Sequence, residues 1–517
     1  MPALAGTIAA ACLLPVAYVI WSTASLGPAE AYEFLVRPRI GELLWNTGRL
    51  LVGGVALSVV FGLGGAWVVE RTTLPLAGWW HGAMCAPLAI PAFVNGYAWV
   101  ATTHAVQSYL GAVLVVSLSY YPLVYLPAVA ALRRLDPALE EVAAALGRRP
   151  REVFLRVVLP TIAPAVLGGA LLVGLHLLAE YGALQLLNYP TLTTAILQQY
   201  GTAFNGPAAT LLAGVLLVAC LGLLALEMLI RGPARRARVG SGTVRPVSRL
   251  RLGRGTVPAV VALGVFVALA VGLPAASLVR WLVRGASAEL DLSRLLPAAG
   301  TSVALAAVAG VVATAAALPV VWQAVRRRNS WSLGVERVAY VTSALPGVVV
   351  ALALVTVAIG WVPALYQTLP LLVVAYVILF LPRALVAVRG VLELVPPRLE
   401  EVALTLGLSR AGPRISISRA SRPRQATSRA GAMRRVTLPL LLPGLATATA
   451  MVALAVSTEL TATLLLAPIG TTTLATEFWS AASSVAYGAA APYALALVLL
   501  AMPATILLGR ASRGVGR

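Results

Sequence analysis

Apolar positions in this chain run in long unbroken stretches, separated by short polar segments rich in arginine and proline. Each stretch is about 20 residues, enough for a helix to cross roughly 30 Å of hydrocarbon. A lipid-spanning β-barrel would instead show short alternating segments. The hydropathy pattern predicts about twelve spans. Six lie near residues 6–23, 46–69, 82–103, 109–132, 161–182 and 208–230. Six more lie near 256–280, 299–323, 339–362, 368–390, 439–466 and 488–508. The expected fold is an all-α polytopic membrane protein.

The two sets of six read as repeats of one another. Pro91 falls on Pro346, and Tyr121 with Leu126-Pro127 falls on Tyr376 with Leu381-Pro382, at an offset of 255. Leu139-Glu140-Glu141-Val142-Ala143 recurs as Leu399-Glu400-Glu401-Val402-Ala403, and Gly147 falls on Gly407, at an offset of 260. Leu159-Pro160 recurs as Leu438-Pro439, and Glu180 falls on Glu459, at an offset of 279. Constant offsets broken by discrete steps indicate duplication with insertions, which composition bias cannot produce. An even number of spans per half gives both repeats the same orientation. The expected organisation is two parallel six-helix repeats about a pseudo-two-fold axis along the membrane normal, with a pathway between them. Residues 1–232 form the first unit, 233–255 a linker and 256–517 the second unit.

Composition agrees with this class. The chain of 517 residues is 60% hydrophobic and 11% charged, where a soluble protein would carry about a quarter charged residues. Its formal charge of +21 comes entirely from arginine, because there is no lysine. The arginines cluster between spans, which points to cytoplasmic membrane-flanking loops and not to a nucleic-acid partner. Residues 231–254 carry eight arginines, among them Arg235, Arg236 and Arg238, and no acidic residue. They read as a solvated cytoplasmic linker. Arg326, Arg327 and Arg328 mark another cytoplasmic loop, and with an even number of spans both termini face the cytoplasm. Cys12, Cys85 and Cys220 all fall in apolar spans without a CxxC pair and read as small buried hydrophobes. The first apolar stretch lacks a basic leader and reads as a membrane helix, not a cleaved signal.

The fourth span is followed by Glu141-Val142-Ala143, three residues, Gly147, nine residues, and Val157-Val158-Leu159-Pro160. Glu140 and Glu141 suit the first turns of a short helix, where negative charge is favourable. Gly147 suits a sharp turn at its end. Val153, Phe154, Val157 and Val158 offer an apolar face, and Pro160 suits the first turn of the next helix. This loop closely resembles the cytoplasmic "EAA" loop of ABC-importer inner-membrane permeases, with a mild departure at Val142. The resemblance covers nearly the whole chain. It implies that loops 136–160 and 396–439 dock on a cytoplasmic ATPase, present as two copies, and pass its closure to the membrane helices. The coupling residues so implied are Glu140, Glu141, Ala143, Gly147, Leu159 and Pro160, and in the second copy Glu400, Glu401, Ala403, Gly407, Leu438 and Pro439. An ordinary helix-turn-helix loop is the plain alternative, and two matched occurrences weigh against it.

The second copy departs in spacing. Removing residues 411–429 restores the spacing of the first copy, and Ser409-Arg410-Ala411-Gly412 and Ser428-Arg429-Ala430-Gly431 bracket that segment as a direct repeat. The segment has no acidic residue and reads as an inserted, tolerated loop. Its other reading is a docking surface altered for one ATPase protomer.

A nucleotide-binding P-loop requires a lysine, so ATP is used by a partner subunit and this chain is not itself an enzyme. The same resemblance implies an extracytoplasmic substrate-binding protein and a cell-membrane location. His81, His104 and His176 show no metal-ligand spacing, and the chain itself is expected to hold no cofactor or resident metal. Ionisable residues within spans are costly and point to function. Glu180 and Glu459, with Tyr181 beside the first, are therefore candidates for the outer part of a substrate pathway. The alternative is that both glutamates cap helix ends in interfacial water. Ala179-Glu180-Tyr181-Gly182-Ala183 leading to Thr191, and Glu459-Leu460-Thr461-Ala462-Thr463 leading to Thr472, look like the ferric-iron branch of these permeases. The fusion of two units in one chain fits that branch too. Fused thiamine and phosphonate permeases are broadly similar, and a secondary transporter also has about twelve spans in two repeats, so these alternatives stay open.

Overall fold

The computed structural model describes residues 2–25, 27–231, 249–284, 291–395 and 438–514. Among them the regular structure is helical, apart from one isolated parallel bridge between Thr72 and Leu250. Nine helices there are long and apolar enough to cross a membrane, or twelve spans if each of three bent helix pairs counts as one. Each predicted span corresponds to one of these helices or pairs.

Three expectations are corrected by where the helices break. The third span does not run continuously over 82–103. Its helices Ala77–Ala89 and Ala92–Val100 meet at a 90° bend, because Pro91 has no N–H to donate and pushes Ile90 into extended backbone. Pro346, at the matching position, likewise caps the helix Gly347–Trp361. The fifth and eleventh spans stop short of their predicted ends at 182 and 466. The first stops at Ala179 and the second at Ser457, and short helices Gly182–Leu186 and Thr461–Leu466 follow each break. Pro160 does not open a helix. A continuous helical stretch runs from Pro150 to Ala179, with a π-helical segment at Phe154–Val158. There the Leu159 N–H reaches back five residues to the Phe154 carbonyl. This rearranged ladder absorbs the missing N–H of Pro160 without ending the helix.

The chain divides into two compact units. The larger contains Pro15–Ser302, Ala344–Leu372 and Ser457–Arg517; the smaller contains Met1–Leu14, Val303–Ser343 and Val373–Val456. The larger unit centres on the helix Pro122–Arg134. Fully buried Tyr121, Val124, Tyr125 and Leu132 pack there against Met84, Val158 and Ile162. Two glycines allow neighbouring helices to approach its backbone. A side chain at Gly62 would meet the Tyr121 carbonyl and the Tyr125 nitrogen, each at 2.9 Å, and one at Gly169 would meet the Leu123 carbonyl at 2.6 Å. Membrane helices associate by such close packing, since lipid offers no hydrophobic gain. In the smaller unit, a side chain at Gly310 would meet the Thr449 carbonyl at 2.8 Å. Arg389 there pairs with buried Glu336 at 2.6 Å. Cys12, Cys85 and Cys220 are free and buried, as expected.

The far end of the basic linker is not simply solvated. The Leu250 N–H donates to the Arg71 carbonyl at 2.8 Å, and Leu250 accepts from the Thr73 N–H at 3.0 Å. This pins the linker to the end of the helix Pro38–Arg71.

Candidate functional site

The first loop forms a short helix, Pro137–Ala145, with Asp136 as its N-cap accepting from the Ala138 N–H at 3.0 Å. Its end is set by Gly147, whose φ of 76° lies in the left-handed region. The Gly147 N–H returns to the Ala144 carbonyl at 2.9 Å and the Arg148 N–H to the Ala143 carbonyl at 3.2 Å. These paired bonds satisfy carbonyls that the helix end would leave open, and they need a residue without a Cβ at Gly147.

The two adjacent glutamates differ in exposure and partner. Glu140 turns inward and meets Arg71 at 2.7 Å, while Glu141 is exposed. Ala143 is buried on the inward face. The apolar face assigned to Val153, Phe154, Val157 and Val158 proves to be inward. Val153 and Val158 are buried, and Phe154 packs edge-on against Trp67 with ring centres 4.5 Å apart. Exposed apolar residues lie along the short helix and its C-cap: Leu139 is 49% exposed, Val142 60% and Leu146 76%, and Leu155 beyond the turn is exposed too. The spacing of three and four residues places Leu139, Val142 and Leu146 on one side. A cleft of about 220 Å³ lies under the helix, lined by Trp67, Arg71, Glu140, Glu141, Arg148 and Phe154. Leu159 and Pro160 lie in the long helix beyond it. In the second loop, Glu400, Glu401, Ala403, Gly407 and the segment 411–429 lie outside the described residues. Leu438 and Pro439 are the first described residues of the helix Leu438–Ser457.

Glu180 and Glu459 each stand at the break after a long helix, and both lie in the larger unit. Glu180 Oε1 accepts from the Ala183 N–H at 2.8 Å and Glu459 Oε1 from the Ala462 N–H at 2.9 Å. Each carboxylate thus caps the short helix that follows. Tyr120, which sequence reasoning did not single out, donates its hydroxyl to Glu180 Oε2 and lies within electrostatic reach of Glu459. The His176 ring sits 5.3 Å from that of Tyr120. Gly347 leaves space for the second carboxylate, since a side chain there would meet Glu459 Oε1 at 2.9 Å. Tyr181 is half-buried, with its ring 5.1 Å from Trp479. Beyond each short helix the same device recurs. Thr191 with Thr194, and Thr473 with Thr476, form capping boxes. The next N–H, of Leu192 or Leu474, is held by Thr47 at 3.1 Å or by Ser302 at 2.8 Å. Among the described residues no three His, Cys, Asp or Glu are grouped to hold a metal.

Residues 59–288 and 306–413 match the family described as "Binding-protein-dependent transport system inner membrane component". The chain belongs to this family. It is therefore a multi-pass inner-membrane permease subunit of an ABC importer, as the duplicated loop implied. The permease is 37% identical over 490 residues to the Fe(3+)-transport system permease protein FbpB 2 of Haemophilus influenzae, covering 94% of this chain and 93% of that protein. It is also 29% identical over 238 residues to the sulfate transport system permease protein CysT of Escherichia coli, covering 41% of this chain and 84% of that one. With the molybdenum transport system permease protein ModB of Escherichia coli it shares 30% identity over 146 residues, 25% of this chain and 63% of that protein. Family membership makes the permease a non-catalytic subunit, and a family of binding-protein-dependent transporters implies an ATPase and a substrate-binding protein as partners.

Proposed function

We propose that this permease conducts ferric iron, with loops 136–160 and 396–439 docking two copies of a cytoplasmic ATPase. In this reading the two halves are parallel repeats over 1–232 and 256–517, both termini face the cytoplasm, and the binding protein docks on the opposite face. Glu180 and Glu459, with Tyr120 between them and Tyr181 alongside, line the outer part of the path. The observation that carries the substrate reading is the placement of one phenol hydroxyl against Glu180 and within reach of Glu459. Carboxylate oxygens are hard donors and suit a hard cation, and the protonated Tyr120 hydroxyl holds one of them in place. The full-length similarity to a ferric-iron permease supports the same choice. Sulfate and molybdenum permeases also match parts of the chain, but two carboxylates at the mouth of a path repel oxyanions. The repeat reading is supported by capping bonds that recur in the same order in the two halves, the glutamate bonds at the 279-residue offset and the N–H bonds of Leu192 and Leu474 beyond them.

The docking reading rests on the exposed face of Leu139, Val142 and Leu146. Replacing Val142 and Leu146 with glutamate puts charge on that face and leaves the buried side untouched. The expected result is a protein that inserts normally and no longer co-purifies with the ATPase. Undiminished co-purification would show that the ATPase docks elsewhere.

A further inference from the structure

The end of the helix Pro38–Arg71 carries two adjacent opposite charges, and each is committed to a different element. Glu70 takes a two-pronged pair from Arg133, with Nε at 2.9 Å and the second nitrogen at 2.6 Å. Arg133 lies at the end of the helix Pro122–Arg134, just before the loop. Arg71 reaches Glu140 on the loop helix at 2.7 Å. Arg71 is only 3% exposed, and its guanidinium lies 5.7 Å from the centre of the Trp67 ring. The contact is a buried ion pair through one guanidinium nitrogen, beside an aromatic face, and removing either partner leaves the other charge without it in a buried place.

The tryptophan–arginine part of the arrangement recurs in the second half, in the smaller unit. Trp322 and Arg326 stand at the 255-residue offset from Trp67 and Arg71. Arg326 lies 5.6 Å from the centre of the Trp322 ring, and it donates to the Val395 carbonyl at 2.9 Å. Val395 immediately precedes the second loop. In both halves, an arginine four residues after a tryptophan ties the end of a long helix to a loop or its threshold.

We propose that Arg71 is a positioning residue that transmits movement of the loop helix to the helix Pro38–Arg71 through its pair with Glu140. Docking belongs to the exposed face, and transmission belongs to this buried pair. Glu140 is thereby separated in role from its neighbour Glu141. The proposal rests on the reading of loop 136–160 as the ATPase-coupling element, and its test keeps the two apart.

The test uses the complete transporter in proteoliposomes, with ferric iron as substrate, and measures iron taken up per ATP hydrolysed. Arg71→Ala is expected to keep the ATPase bound and to lower that ratio about tenfold, as for partners in direct contact. Arg71→Gln serves as a second variant if the alanine protein fails to reach the membrane. The charge swap Arg71→Glu with Glu140→Arg is expected to recover most of the loss seen in Arg71→Glu alone, which a purely structural role would not produce. A normal ratio in both Arg71→Ala and Arg71→Gln overturns the proposal, and so does a swap no better than its worse single variant. Loss of ATPase binding in Arg71→Ala also overturns it, because Arg71 would then serve docking. In the same assay, Val142→Glu with Leu146→Glu controls the underlying reading. If that variant keeps its ATPase, the coupling assignment itself fails, whatever Arg71 does.

Discussion

Glu180 and Glu459, 279 residues apart in the sequence, close the same turn in the two halves of the permease. Each accepts the N–H three residues ahead, from Ala183 at 2.8 Å and from Ala462 at 2.9 Å. In each of these bonds the carboxylate holds the turn through its Oε1. In Glu180 the second oxygen takes the Tyr120 hydroxyl.

The capping part is measured by stability. Glu180→Ala removes the acceptor for Ala183 and should cost about 1 kcal/mol, as for other lost helix caps. Glu180→Gln keeps an acceptor oxygen and should cost less. Thermal unfolding in detergent checks this. Equal losses for the two variants would show that the Ala183 bond contributes little.

Gly147 tests the loop. Its φ of 76° is costly for any residue with a Cβ, by about 1–2 kcal/mol. Gly147→Val is expected to unwind the end of Pro137–Ala145 and release the ATPase while the spans still insert. Co-purification and membrane insertion are read on the same sample. Normal ATPase binding would detach the turn from docking.

The segment 411–429 tests the second loop. Deleting it restores the spacing of the first copy, so uptake should be retained or raised. Complete loss of assembly would make the segment part of the docking surface.

Gly62 tests the packing of the larger unit. A side chain there would press on backbone atoms of Tyr121 and Tyr125 at 2.9 Å. Overpacking of this kind costs roughly 1–3 kcal/mol. Gly62→Val should therefore lower the melting temperature and the yield of folded protein, and Gly64→Val, which meets nothing within 4 Å, should not. Equal melting temperatures for both would contradict the packing.

Spans, offsets and the loop turn were legible because they depend on local features. Apolar length marks a span, a repeated interval marks duplication, and Gly147 marks a left-handed turn. The breaks at Glu180 and in the third span were not legible to hydropathy, which sums apolar character and ignores the hydrogen-bond ladder. Pro91 was a visible signal for one of them. The inward turn of Glu140 depended on Arg71, 69 positions earlier in the chain. Nothing local distinguishes Glu140 from Glu141. Tyr120 likewise depends on a partner 60 positions away, Glu180, whereas Trp67-Arg71 and Trp322-Arg326 share an interval visible in the sequence.

The proposed ferric-iron path is lined by the two matched carboxylates. The most direct measurement is ATP-dependent uptake of radiolabelled ferric iron into proteoliposomes holding the complete transporter, with sulfate in parallel. The account predicts iron uptake without sulfate uptake. It also predicts a loss in Glu180→Gln with Glu459→Gln that exceeds the sum of the single variants, because residues serving one ion couple. Sulfate uptake in place of iron, or wild-type iron uptake in the double variant, would contradict it.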